Sequence, residues 1–248
     1  MSILYTRYNV ARRYAAGRDV LEVACGAGVG LGLIAGIAKS VIGGDIDSRN
    51  CETARGTYKG RPGIKIQALK AEALPYEAGS FGLIILFEAI YYLQDQSAFV
   101  SEAARVLNSS GVLLISSVNP QWGGFNPSPF STMYYSTSEL ASLLRAGGFE
   151  TEMFAAFRVK ESGLIAAFVH ALKVAAIKLD LIPKTMKGKE FLKRIFFGRL
   201  IPIPCELTSG FAPLESLVPI EEIPDPTKYK MIYAVARKAN RPEETKCT

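Results

Sequence analysis

One stretch restricts the fold more than any other, the run DVLEVACGAGVGLGLIAGIAK at residues 19–39. Its opening, 19–24, is a short apolar and β-branched strand, and from Leu31 the apolar residues recur at helical spacing. Between the two, Gly26, Gly28 and Gly30 occupy alternate positions. Such a turn lets a ligand approach bare backbone and meet free N–H groups at a helix start. Strand, glycine turn and helix in immediate succession form the opening unit of a sheet covered by helices.

The alternation continues down the chain. Residues 40–45 (SVIGGD) form a second strand, 48–56 a helix and 64–69 a third strand. Residues 82–87 (GLIILF) form a fourth, whose unbroken apolar run predicts burial on both faces of a parallel sheet. A helix at 96–107 carries Phe99, Ala103, Val106 and Leu107 on one face; Ser109-Ser110-Gly111 turns, and 112–118 is a fifth strand. Ser138 caps a helix that Gly147-Gly148 stops, 149–159 is a sixth strand, and 229–237 (YKMIYAVAR) alternates as the last. The expectation is a doubly wound, mostly parallel α/β sheet of seven strands with a helical insertion before the last. Residues 1–159 with 227–240 then make one domain, and 160–226 the insertion, helical at 162–180 and 188–199.

Composition narrows the partners. The chain has 248 residues, 49% hydrophobic and 21% charged, an ordinary globular balance. Its start lacks the pattern of a secretory signal and no charge-free apolar stretch is long enough to span a bilayer, which predicts a soluble, cytoplasmic protein. Cys25, Cys51, Cys205, Cys247 and the single histidine, His170, lack ligand spacing, so no metal is expected. The net charge of +6 is concentrated: residues 158–200 hold ten Lys and Arg against three acids. One basic segment rather than a basic surface argues against nucleic acid. Within it, Leu164, Ile165, Phe168, Leu172, Ala175 and Leu179 share a helical face, and KGKEFLKRIFFGR interleaves cations with apolar residues. Residues 186–200 are thus a candidate for peripheral membrane contact, and the insertion for a roof that attracts an anionic acceptor. A solvated basic face over a packed apolar one is the plainer alternative.

The glycine turn suits an anionic or zwitterionic ligand. Asp45, ending the second strand about twenty residues after Gly26, is placed to accept hydrogen bonds from ribose hydroxyls, and together they indicate an adenosine-containing ligand. The spacing Gly26-x-Gly28-x-Gly30 departs from the GxGxxG of nicotinamide binders. With Glu22 before it, the turn resembles the first motif of the class I methyltransferases, acid-x-x-C/G-x-G-x-G. AEALPY (71–76), GSFG (79–82), FEAIYYL (87–93) and EAARVLNSSGVLLISSVNP (102–120) resemble later motifs of that family, over residues 1 to about 158 and the last strand. Lys70 and Gly82 stand where the family has Asp.

That resemblance implies S-adenosylmethionine as cofactor. It places Glu22 at the methionyl end with Ala24, Gly26 and Gly28 lining it, Asp45 on ribose and Ile46 on adenine, with Ala71, Glu72 and Phe87 completing the contacts. It also implies methyl transfer to a hydroxyl or amine of a small molecule, such as a glycan precursor or secondary metabolite, where alignment of acceptor, methyl and sulfur does most of the work. A hydroxyl acceptor needs a base. Glu88, just beyond the fourth strand, is the candidate, whereas His170 sits inside the insertion. Tyr91, Tyr92, Asn119 and Trp122, on the loops after the fourth and fifth strands, are candidate acceptor contacts, and an aromatic face can attract the sulfonium. Tyr5, Tyr8 and Arg12 either cap the cofactor or belong to a helix packed on the sheet. Two rivals stay open: an NAD-dependent oxidoreductase and, given Lys70 and Gly82, a non-catalytic S-adenosylmethionine-binding protein.

Overall fold

A computed structural model describes residues 1–159 and 202–239. In chain order the elements are α1 (Ser2–Ala15), β1 (Asp19–Val23), α2 (Leu31–Ala35), β2 (Ser40–Asp45), α3 (Ser48–Thr57), β3 (Ile64–Ala68), β4 (Phe81–Phe87), α4 (Gln96–Val106), β5 (Leu107–Val118), α5 (Thr137–Ala146), β6 (Phe149–Arg158), β7 (Val218–Pro219) and β8 (Tyr229–Lys238). They form one sheet in the order β3-β2-β1-β4-β5-β8-β6-β7. Strands β3, β2, β1, β4 and β5 pair in parallel. β8 runs antiparallel between β5 and β6.

Both faces of the sheet are covered, as the apolar run of β4 predicts. Leu83, Ile85 and Phe87 join Tyr5, Tyr8 and Ala11 of α1 and Leu31 and Ile34 of α2 in one core. Ile84 and Leu86 point to the other, with Phe99 and Ala103 of α4 and Leu140 and Leu144 of α5. β4 is therefore buried along its whole length, as the central strand of a two-sided sheet must be.

Several expectations are corrected in detail. The sheet has eight strands rather than seven, because the two-residue β7 pairs with the outer edge of β6. α2 ends at Ala35 rather than Lys39, with Gly36 as its cap. α5 is capped by Ser136, not Ser138: the Ser136 side chain accepts from the Glu139 N–H while the Glu139 carboxylate accepts from the Ser136 N–H, a reciprocal capping box. β5 starts at Leu107 and absorbs the expected turn at 109–111 through a register shift opposite Phe81 and Leu83. The expected helices at 162–180 and 188–199, His170, the 186–200 stretch and Cys247 lie outside the described residues.

α1 packs flush against the glycine turn. A Cβ on Gly30 would lie 2.0 Å from the Tyr8 ring, so only a bare backbone admits that ring. Gly30→Ala is expected to displace α1 and cost about 1–3 kcal/mol, read as a lower thermal midpoint; an unchanged midpoint would mean that α1 does not need this approach.

A candidate cofactor and acceptor site at the carboxyl edge of the sheet

β1, β2, β4 and β5 end on one edge, and the order reverses between β1 and β4, where open α/β sheets take their ligands. At that point two non-glycine residues have left-handed backbone: Ala24 after β1 (φ 55) and Glu88 after β4 (φ 53). Each conformation costs about 1–3 kcal/mol and persists only where the surroundings enforce it. In the turn itself, Gly26 (φ 58) and Gly28 (φ 75) are also left-handed. A Cβ on Gly28 would further meet Leu31 Cδ1 at 2.9 Å and Ala54 Cβ at 3.1 Å. Tyr58, near the end of α3, donates its hydroxyl to the Gly28 carbonyl (2.7 Å) and accepts from the Gly32 N–H (3.2 Å).

Beside this turn opens a cavity of about 480 Å³, lined by Glu22, Ala24, Gly26 and Phe87, by Leu4, Arg7 and Tyr8 of α1, and by Ile203, Pro204 and Cys205. Glu22 is buried and its Oε1 accepts from the Tyr8 hydroxyl at 2.6 Å. Its other oxygen is buried with no partner. Burial pushes the Glu22 carboxyl up to about 7, with the Tyr8 hydrogen bond and the Arg7 charge opposing. Arg7 lies over the Tyr8 and Phe87 rings, 5.8 and 5.7 Å from their centroids, and its Nε is buried without a partner. A half-satisfied carboxyl and an unsatisfied guanidinium in one apolar cavity leave an opening for a ligand that carries both charges.

Asp45 braces the turn. Its Oδ2 accepts from the Gly26 N–H (2.8 Å), and its Oδ1 from the Asp47 N–H (2.9 Å) and Asn50 Nδ2 (3.2 Å). An ionised carboxylate has about four acceptor positions, so one remains on Oδ2 for an incoming hydroxyl. Ile46 is 76% exposed, an apolar face with nothing packed on it. Ala71 is buried in the other core, and Glu72 accepts from the Gln94 N–H at 3.0 Å. That bond ties the 71–76 segment to the loop after β4, and neither residue lines the cavity.

Glu88 stands between the cavity and the end of β5. Tyr91 donates to its Oε2 at 3.3 Å and Ser116 to its Oε1 at 3.4 Å. Burial raises this carboxyl too, to about 7, while the Arg7 charge acts against the rise. The hydroxyl of Tyr233, on β8 opposite Ser116, is buried without a partner and feels the Glu88 and Arg7 charges. Tyr91 is buried and stacks on Tyr134 with centroids 4.5 Å apart, and Tyr92 is exposed. Trp122 carries Lys230 Nζ 5.4 Å from its ring centroid.

Asn119 is corrected. It is wholly buried, its Nδ2 donates to the Pro226 and Tyr229 carbonyls (both 2.9 Å), and its Oδ1 accepts from the Gln121 N–H (3.0 Å). That amide fastens the entry of β8 to the end of β5 and leaves no group for an acceptor. Arg12 is not among the cavity residues, whereas Arg7 is. The signal lay in helical phase: Leu4, Tyr8, Ala11 and Ala15 form the inward stripe of α1, and Arg7 flanks it.

Residues 202–217 return across this region. The Leu207 N–H donates to the Val29 carbonyl (2.8 Å) and Glu206 pairs with Arg61 (2.6 Å). The Gly210 N–H donates to the Tyr5 hydroxyl, and the Glu215 N–H to Thr6 Oγ1 (3.1 Å). The strap thus holds α1 and the glycine turn together from outside.

Residues 21–115 match the protein-family model described as a methyltransferase domain. A Mycolicibacterium smegmatis protein, named as a probable S-adenosylmethionine-dependent methyltransferase, is 40% identical over 151 residues, covering 58% of this chain and 57% of that protein. A ubiquinone biosynthesis O-methyltransferase of Chelativorans sp. is 28% identical over 130 residues, 47% of this chain and 50% of that one. The chain thus spans about half the length of the curated relatives it matches. Among solved structures, the YcgJ protein of Bacillus subtilis shares the fold, with a TM-score of 0.60 at 18% identity over 95% of this chain and 99% of that one.

Proposed function

Because this chain carries a class I, S-adenosylmethionine-dependent methyltransferase domain, we propose that it is an enzyme that methylates a small molecule, at a hydroxyl in preference to an amine. The catalytic unit is residues 1–159 with 227–240, and 160–226 is an insertion that serves acceptor binding. The carrying observation is the pair of carboxyls at the strand-order reversal, buried Glu22 in the cavity and half-buried Glu88 beside it, each raised to about 7. The hydroxyl reading is supported by Glu88, since an oxygen nucleophile needs a base where a neutral amine does not. It agrees with the printed O-methyltransferase name of one relative. A glycan precursor or secondary metabolite is the acceptor class we favour.

The residues fit the cofactor. When bound, S-adenosylmethionine supplies a methyl group made electrophilic by its sulfonium. The free oxygen of Glu22 takes a cationic amino group and Arg7 has donors free for a carboxylate. Gly26 lets the ligand approach bare backbone while Gly28 admits Leu31 and Ala54 behind the turn and lies outside the cavity lining, Asp45 offers its remaining acceptor position to ribose, and Ile46 offers an apolar face to adenine. Ala24 and Phe87 wall the methionyl end. Glu88 accepts the acceptor's proton while Tyr91 and Ser116 hold its carboxylate in place. Tyr233, with a free hydroxyl nearby, orients the acceptor oxygen. Tyr92 and Trp122 flank the entrance.

The first test is the thermal midpoint with S-adenosylmethionine, S-adenosylhomocysteine or NAD, followed by a search for turnover to S-adenosylhomocysteine. The two sulfur ligands are expected to raise the midpoint by mass action. Asp45→Ala removes a charged hydrogen bond to ribose and the brace on Gly26, which is worth about ten- to a hundredfold in affinity. A rise with NAD alone would transfer the reading to an oxidoreductase, and binding without turnover on any acceptor would leave a binding protein. For the active enzyme, kcat is expected to climb about tenfold per pH unit below about 7 and then level, because Glu88 must lose its proton to serve as base. A flat profile through that range would remove Glu88 from the mechanism.

A further inference from the structure

The glycine turn is braced from the side that faces away from the cavity. Tyr58, the cap at the end of α3, is buried. Its hydroxyl spans the turn, donating to the Gly28 carbonyl at 2.7 Å and accepting from the Gly32 N–H at 3.2 Å. The Gly28 carbonyl also accepts from the Leu31 N–H at 3.0 Å, so both of its lone pairs are engaged. Burial pushes the Tyr58 hydroxyl up to about 12, which keeps it a donor at every ordinary pH. Three residues on, Arg61 lies 5.7 Å from the centroid of the Tyr58 ring and pairs with Glu206 at 2.6 Å. That pair sits on the backbone of Gly32, where a Cβ would fall 1.7 Å from Glu206 Oε1 and 3.0 Å from Arg61 Nη1. The next residue of the strap, Leu207, is buried and donates its N–H to the Val29 carbonyl at 2.8 Å.

Tyr58, Arg61, Glu206 and Leu207 are all absent from the cavity lining, whereas Gly26, Ala27 and Val29 belong to it. The four thus grip the turn at Gly28, Val29 and Gly32 without reaching the space that its other face encloses. Folding stability accounts poorly for the Arg61–Glu206 pair. Its side chains are 45% and 28% exposed, and such pairs add little to stability. Their position gives them another effect. The segment from Gly26 to Gly30 holds three glycines in five residues, so it has much backbone freedom to lose. A loop that orders only when its ligand arrives spends binding energy on the ordering. A turn held in shape beforehand does not.

We propose that Tyr58, backed by the Arg61–Glu206 pair, is a positioning residue for the cofactor: it holds the glycine turn in its binding shape from behind, so that affinity depends on side chains that never touch the ligand. The identity of that ligand rests on the methyltransferase reading. The experiment compares the full chain with Tyr58→Phe, which keeps the ring and removes the hydroxyl, and with Arg61→Gln, which changes only a partly exposed side chain. S-adenosylhomocysteine affinity, measured by calorimetry well below the thermal midpoints, is expected to fall about tenfold in Tyr58→Phe and about threefold in Arg61→Gln. Amide exchange across residues 26–32 of the free protein should be faster in both variants while exchange in β4 and β5 stays as in the parent. A general loss of stability would instead speed exchange throughout the sheet. Parental affinity in both variants would overturn the proposal, as would weakened affinity with unchanged exchange in the turn. Should Tyr58→Phe fail to fold, Arg61→Gln decides by the same two measurements. A parent that does not bind S-adenosylhomocysteine would defeat the methyltransferase reading and this role together, whereas a parent that binds it no better than the variants defeats the positioning role alone.

Discussion

Glu88→Gln is expected to lower kcat by about 10²- to 10⁴-fold, the usual contribution of a positioned base, with S-adenosylhomocysteine affinity changed by less than about threefold. Glutamine keeps the shape and an acceptor oxygen for Tyr91 or Ser116 but cannot take a proton. The substitution should also alter stability in a predictable direction. A carboxyl whose folded-state value is about 7 against an ordinary 4.5 binds its proton more tightly in the native protein. Its contribution is thus fully favourable below about pH 4.5 and is lost as pH rises toward 7. The neutral amide escapes that loss, so the variant should gain stability relative to the parent between pH 5 and pH 8, on the order of 2 kcal/mol. Thermal midpoints across that range, together with single-turnover rates, check both halves. Turnover within threefold of the parent would defeat Glu88 as base, and an unvarying midpoint difference would mean that its carboxyl titrates normally.

Asn119→Ala is expected to cost about 1–3 kcal/mol, because it removes a buried amide and leaves the half-buried Pro226 and Tyr229 carbonyls without their donor. For a chain of this size that is a fall of roughly 2–12 °C in thermal midpoint. The rise produced by S-adenosylhomocysteine should persist, since the amide does not line the cavity. Turnover lost at an unchanged midpoint would restore Asn119 to the acceptor contacts that its loop position suggested. Asparagine beyond a strand end reads equally well as ligand contact or as brace, and only its partners distinguish the two.

The local sequence determined what local physics controls. Glycines between an apolar run and a helical pattern mark a strand-to-helix turn, and Gly26 and Gly28 stand in it; that their backbone is left-handed and that Asp45 bonds the Gly26 N–H is set by packing. The parallel sheet followed from the apolar run of β4, since a strand without a polar face must be covered on both sides. Boundaries were less legible: Ser136 rather than Ser138 caps α5, because either serine can cap and the reciprocal bond to Glu139 decides. Tertiary structure alone decided the rest. Asp45 and Ile46 adjoin in sequence, yet one is buried in hydrogen bonds and the other exposed, a difference set by which side of the chain meets the turn. Arg7 and Tyr8 reach Glu22 and Phe87 only because α1 folds over Gly30, and Ile203 to Cys205 close the same cavity from the far end of the chain. No periodicity encodes such meetings, because they arise between segments whose separation along the chain carries no pattern and whose apposition depends on the packing of the whole sheet.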